Sequence, residues 1–398
     1  MVGCERPHGS LQNLQQRDRL AVELPQGDSG HGRQAGSCRT YGHDAQGDIR
    51  IMRNIVASVI VPCRNAADTV ERALAGPLAS PLRELEVIAV DDGSTDGTSA
   101  VLNRIAAADE RVRILASGGR GVSAARNMGL DAAQGEFVFF VDADDVVEPD
   151  MYPKVVEAMR RDDADYCRVA HDEVFPLTGR KYDFPLKGDY RFSCSDEIVK
   201  NLIPCFFGYS FAQVRRMYGG TPLFADREMG SVWSGGFRLE LIRGCDVRFD
   251  ETTEIYEDAM FLSEYLLFCQ RTTVVDESLY HYRISSQGSM NSKMNGPQFF
   301  GNKLRLLAKR EEIDVKSGGR LTSMYAASCV FSLLEILRAA FRIKGCLFLG
   351  LSTFRRYGSD PVVKAALRNF PLSWRKPVLA GAVCMCRLMS PILFRAKI

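Results

Sequence analysis

The sequence predicts an α/β protein in which a mostly parallel sheet is flanked by helices and followed by a helical appendage. Three observations predict it. Between residues 56 and 142, short apolar runs alternate with helical stretches, the pattern of strands buried on both faces and joined by crossover helices. Three of those runs end in polar, mostly acidic clusters, and ligands of such sheets sit at the carboxyl ends of the strands. From about residue 300 the texture becomes helical, basic and apolar by turns.

Residues 1–51 are rich in Gly, Gln, Arg and Asp and have no periodic apolar face. Such a segment cannot bury enough apolar surface to offset its ordering entropy, so it is expected to be disordered. An equally simple expectation is that translation starts at Met52, whose sequence runs directly into a strand. Strands are expected at 56–62 (VASVIVP), 84–90 (ELEVIAV), 111–115 (RVRIL) and 136–142 (EFVFFVD). Helices are expected at 68–75, 99–108 and 122–133, the last opened by a Gly-rich loop. Residues 150–290 are mixed and less periodic. Two long apolar helical stretches follow, at 325–341 and 379–394. Arg387 and Pro391 interrupt the second, which therefore reads as an in-plane amphipathic helix rather than a span.

The net charge of +2 conceals an asymmetry. Residues 52–301 carry a net of −11 and residues 302–398 a net of +13. Because the basic residues of the tail alternate with apolar runs, they suit an anionic membrane surface and not nucleic acid. The twelve cysteines form no C-x-x-C pair, which points to free thiols in a reducing cytosol. Three of five histidines (His8, His31, His43) fall in the first 51 residues, leaving His171 and His281. A histidine metal site or a Ser/His/Asp triad is thereby disfavoured.

The chemistry concentrates in VDADD (141–145), at the end of the fourth strand. Asp142 and Asp144, one residue apart, can both reach a hard divalent cation that bridges to phosphate oxygens; the plainer reading is a solvated acidic turn. DDGSTD (91–96) ends the second strand, where Asp92 can accept hydrogen bonds from a base or ribose, or simply belong to a capped turn. In SGGRGVSAARN (117–127), Gly119-x-Gly121-x-x-Ala124 outlines a dinucleotide-binding fingerprint. Two βα units precede it, however, and the acidic clusters would then have no role. The preferred reading is a Gly-rich loop beside a nucleotide, with Arg126 and Asn127 facing the crevice; Arg126 as a surface charge is the alternative.

Taken in order and spacing, SVIVPxxN, DDGSTDxT, GVSAARNxG, GEFVFFVDADD and the later Glu257-Asp258 resemble the family 2 glycosyltransferases of bacterial surface-polysaccharide synthesis. The resemblance is dense over 56–150 and looser over 230–290. It implies a Rossmann-like GT-A fold, a nucleoside-diphosphate-sugar donor (usually UDP-linked), Mn²⁺ or Mg²⁺, and inversion at the anomeric carbon. It implies that Pro62, Arg64 and Asn65 line the base pocket, that Asp92 binds uracil or ribose, and that Asp142 and Asp144 meet ribose and metal. Asp258 is implied as the general base, since direct displacement needs one carboxylate to take the acceptor's proton. Trp233, with Glu257, falls on the acceptor side, as a sugar-stacking platform or a core aromatic; Ser234-Gly235 departs from the family's Asn-Lys there. Arg283 of the HYR segment is a candidate diphosphate contact.

The organisation expected is thus an extension (1–51), a nucleotide-sugar half (52–160), an acceptor half (161–300) and a basic amphipathic tail (301–398). The implied partners are the donor, a saccharide or polyprenyl-linked acceptor, and the inner face of the cell membrane, approached from the cytoplasm. Two rivals are an NAD(P)-binding oxidoreductase, resting on Gly119–Ala124, and a catalytically inactive glycosyltransferase-like membrane module.

Overall fold

The computed structural model describes residues 41–43, 49–51, 54–186, 188, 190–219, 230–284, 298–342 and positions 352, 361, 363 and 364. They belong to two compact units, Met1–Met52 and Arg53–Ile398. In the first, β1 (Tyr41–His43) and β2 (Ile49–Ile51) pair antiparallel, with Tyr41 opposite Ile51. The rest of the stretch expected to be without structure lies outside the described residues.

The second unit is built on a nine-stranded sheet. Its first half comprises β3 (Ala57–Cys63), β4 (Leu85–Asp91), β5 (Val112–Ala116) and β6 (Phe137–Phe140). These four strands run parallel in the order β5-β4-β3-β6, and each lies within two residues of its expected position. Crossovers are made by α1 (Val70–Ala79), α2 (Thr98–Ala108) and α3 (Val122–Ala132). The second half adds β7 (Val146–Val147), β8 (Tyr166–Phe175), β9 (Arg180–Phe184), β10 (Gly235–Arg238) and β11 (Thr272–Arg283). There β10 joins β6 to β8 antiparallel, β11 runs parallel to β8, and β7 and β9 pair antiparallel on β11 and β8.

The apolar runs are continuous because both faces of the sheet are covered. Val59, Val61, Val87, Ala89, Phe137 and Phe139 face one core, with α1, α2 and α4 (Met151–Arg161). Ile60, Ile88, Val90, Val138 and Phe140 face the other. The period of two within each run sorts alternate residues to opposite cores, and each buried Phe contributes about 1.5–3 kcal/mol. On that second face lie α5 (Ser195–Glu197), a π turn (Ile198–Leu202) and α6 (Ile203–Phe207), followed by α7 (Phe211–Gly219), α8 (Leu239–Gly244) and α9 (Glu257–Leu266).

The described part of the tail corrects one expectation. Helices α10 (Gln298–Lys316) and α11 (Thr322–Arg342) put Leu306, Leu307, Ile313, Ala327, Val330 and Leu333 into this same core. Several of their basic residues meet partners within this unit. Lys309 meets the buried Glu264 at 2.8 Å, Lys316 also pairs with Glu264, Lys303 meets Glu335 at 2.8 Å, and Arg310 donates to the Phe207 carbonyl at 2.8 Å. Removing one partner from such a buried pair costs about 3–5 kcal/mol, so these charges serve packing. Residues 379–394 lie outside the described residues, and no described helix is long and apolar enough to cross a membrane.

Candidate active site

The carboxyl ends of β3, β4 and β6 converge as expected, and the centre of the arrangement is Arg126. Helix α3 lies hard against β3: a Cβ on Gly129 would stand 2.4 Å from Ile60 Cγ2. That close approach carries Arg126, one turn earlier on the helix, under the end of β6, where it is 3% exposed. Its guanidinium donates to Asp142 Oδ1 at 2.9 Å, pairs with Asp258 and lies 3.5 Å from Glu257 Oε1. Phe249 packs beneath it, 5.3 Å from ring centroid to guanidinium carbon. One fixed positive charge thus faces three carboxylates, and its own pKa is raised by them despite burial. Asp258 sits in the first turn of α9. Burial pushes its carboxyl up to about 7, with Glu257 and Asp142 adding to the shift and Arg126 opposing it. A carboxyl so poised suits proton transfer near neutral pH.

The Asp142–Asp145 segment divides its work. Asp145 is fully buried; its Oδ2 accepts from Tyr280 Oη at 2.7 Å and its Oδ1 from the Arg283 N–H at 2.8 Å. It therefore ties β11 to the end of β6. Burial and then Asp142 raise its pKa. Asp144 reaches solvent, yet burial against the crevice wall and the neighbouring Asp142 raise its pKa too, with Arg72 and Arg283 opposing. Asp144, exposed, and Asp142, with a single oxygen held by Arg126, fit a divalent cation that takes its other ligands from phosphate. Among the described residues no cluster of three or more acidic, His or Cys groups could hold a metal by itself.

The rim residues are engaged with one another. Asp92, 2% exposed, accepts from Ser117 Oγ at 2.6 Å, from the Gly121 N–H at 3.0 and 3.1 Å, and from Arg64 at 3.4 Å. It fastens the Gly-rich loop, so a nucleotide reaching it must displace one of these bonds. Asn65 accepts from the Thr95 N–H at 2.8 Å, and its own N–H donates to Ser94 Oγ at 3.0 Å. Pro62 is buried within β3, whereas Arg64 is largely exposed. Asn127 does not face the crevice: its amide exchanges two 2.9 Å bonds with the Phe249 backbone and braces that segment.

Trp233 corrects the platform reading. It is 3% exposed, stacked on Tyr280 at 4.3 Å and Tyr282 at 5.5 Å, with His171 at its edge. No open face is left for a sugar, and the indole instead fixes the tyrosines of β11. Arg72 of α1 was not singled out from the sequence. It donates to the Asp144 carbonyl at 3.5 Å, and only an ordinary amphipathic helix surrounds it in the sequence. The fingerprint reading of Gly119–Ala124 also fails on topology: the loop follows β5, the edge strand, whereas a dinucleotide turn follows the first, central strand.

A half-parallel sheet of this order, with carboxylates gathered at the end of β6, is that of a GT-A transferase. A family model described as Glycosyl transferase family 2 matches residues 58–217. The uncharacterized glycosyltransferase YibD of Escherichia coli K12 is 27% identical over 260 residues, 63% of this chain and 70% of that protein. Succinoglycan biosynthesis protein ExoO of Rhizobium meliloti is 30% identical over 235 residues, 58% of this chain and 61% of its own length. The crystal structure of S. aureus TarS 1–349 in complex with UDP-GlcNAc shares the fold, with a TM-score of 0.57 at 18% identity over 85% of this chain and 89% of that one. Residues 58–217 thus carry a family 2 glycosyltransferase domain. This retires the oxidoreductase rival.

Proposed function

We propose that this transferase moves a sugar from a nucleoside-diphosphate sugar, UDP-linked, to a saccharide or lipid-linked saccharide acceptor, inverting the anomeric carbon. The observation that carries the proposal is the shared guanidinium of Arg126, which holds the donor-side Asp142 and the acid-rich start of α9 in one crevice. Asp258, its carboxyl near neutrality, takes the proton of the acceptor hydroxyl as that oxygen attacks the anomeric carbon. The bond to the diphosphate breaks on the opposite face, and the nucleoside diphosphate leaves with the electron pair. Asp142 and Asp144 would hold Mn²⁺ or Mg²⁺, which when bound supplies charge neutralisation for the diphosphate. Arg126 keeps the base oriented, and Asp145 keeps β11 and Arg283 against the site.

Three comparisons support the choice of ligand and setting. TarS has been solved with UDP and with UDP-GlcNAc, and ExoO is named for succinoglycan biosynthesis. Synthesis of a saccharide polymer is therefore the setting we favour. The test is a panel of nucleotide sugars with Mn²⁺, read as nucleoside-diphosphate release and product mass. Release from sugars linked to another nucleotide but from no UDP-sugar would overturn the donor assignment. Unchanged transfer by Asp258→Asn would overturn the base assignment and leave the inactive-module rival weaker still.

A further inference from the structure

We infer that Arg72 is a phosphate-binding residue: together with Arg283 it grips the diphosphate of the bound donor. The inference rests on the nucleotide-sugar reading above and adds a residue to it. Its basis is where α1 lies. A Cβ on Gly76 would stand 2.0 Å from the Val147 carbonyl oxygen, so the helix backbone touches β7 with nothing between them. Arg72 is four residues earlier, on the same face of the helix, and is carried over the segment that leads from β6 into β7.

There it is half-buried with most of its donors unused. Nη2 makes one long bond, 3.5 Å, to the Asp144 carbonyl, and Nε is buried with no partner at all. A buried donor without a partner costs free energy that an arriving acceptor recovers. The acids nearby do not supply it. Asp145 is committed to Tyr280 and Arg283, and Asp142 to Arg126. From the other side comes Arg283, its backbone N–H held by Asp145 Oδ1 at 2.8 Å. Arg72 on α1 and Arg283 on β11 are tied to the Asp144–Asp145 segment from two elements, so a multivalent anion there would meet donors from both. The planar fork of arginine matches phosphate oxygens in pairs, and a diphosphate offers enough of them for both.

The test compares wild type with Arg72→Gln and Arg72→Lys, each the full chain in Mn²⁺. UDP and inorganic pyrophosphate are titrated calorimetrically, uridine is read by competition, and thermal melting is followed in parallel. Arg72→Gln should weaken UDP and pyrophosphate by about tenfold and leave uridine within about twofold. Arg72→Lys should recover part of the loss, because charge returns without the fork. Unchanged UDP affinity in Arg72→Gln overturns the inference. So does an equal loss for UDP and uridine with a lowered melting temperature, which would make Arg72 a brace for the Asp144 backbone. If wild type binds pyrophosphate but no nucleotide, the donor reading falls, and the pyrophosphate loss in Arg72→Gln still decides for or against Arg72. If wild type binds none of the three, both fall.

Discussion

Two acid-rich turns close the carboxyl ends of this sheet, and they do opposite things with their charge. In Asp91–Asp96 the carboxylates are satisfied. Hydroxyl and backbone donors from Ser99 and Ser94 outweigh burial and lower the pKa of Asp91, and Thr98 lowers that of Asp96. Asp92 takes bonds from three residues. At Asp144, Asp145 and Asp258 the shifts run upward, caused first by burial, with neighbouring carboxylates adding to it. The first turn uses its acids to hold loops together. In the second, burial and neighbouring carboxylates disfavour the charged form at Asp144 and Asp145, the kind of perturbation that marks a candidate site. Composition alone does not separate the two, because both read as short runs of Asp after a strand.

Each half of that contrast can be broken. The largest effect is expected at Asp258→Asn, which should lower kcat by about 10²–10⁴ while donor affinity measured by calorimetry holds. Transfer at near wild-type kcat would move the base to Glu257. Next is pH. A base pushed up to about 7 must lose its proton to act, so kcat/KM should fall about tenfold per unit below that value. A profile flat down to pH 5 would show that the site leaves Asp258 an ordinary carboxylate. The same shift bears on folding: a carboxyl with a raised folded-state pKa binds its proton more tightly when folded. Stability from this group therefore declines as pH rises from about 4 toward 7, and urea titrations should show less decline in Asp258→Asn.

Asp92→Ala should act on stability instead, since it strands the Gly121 N–H and Ser117; roughly 1–3 kcal/mol is expected from denaturant unfolding. A variant that melts like wild type and only loses nucleotide would place Asp92 in the second class. Asp144→Asn should do the reverse, weakening UDP in Mn²⁺ by about tenfold, or about 1.4 kcal/mol, without lowering the melting temperature. Unchanged binding in EDTA would remove the cation from the site. The smallest effect concerns residues 1–51, whose sequence has no periodic apolar face. A chain beginning at Met52 should melt within about a degree of the full chain, and a drop of several degrees would show that the two units support each other.

The donor half was legible because its strands are buried on both faces and punctuated by turn residues, so that period and punctuation agree over Val56–Asp142. Arg126, Asp142 and Asp258 were found as individuals. That one guanidinium joins them was not legible, since they lie on three separate elements. The acceptor half resisted reading because it is made of short antiparallel insertions such as Gly235–Arg238 and of a β11 strand with register shifts after Val275 and Ser278. Such segments carry little periodicity of their own. Trp233 could be read as platform or core, and only its burial against Tyr280 decides. The tail misled for a related reason. Its basic, apolar pattern fits a membrane surface, while the Glu264 that receives Lys309 and Lys316 lies upstream in α9.

The two arginines of the site owe their positions to missing atoms. Arg126 stands three residues before Gly129 and Arg72 four before Gly76, and each glycine sits where its helix presses on the sheet with no room for a methyl. An alanine at either place adds no charge, removes no ligand and touches no substrate. It would still lift the helix from its seat and swing the guanidinium one turn away, because closely packed helices and strands transmit such a displacement rather than absorb it. The clearance between helix and strand is thus a dial for affinity, and one set by steric exclusion. Sequence drift at these two glycines should alter ligand binding in proteins whose acidic motifs all remain intact.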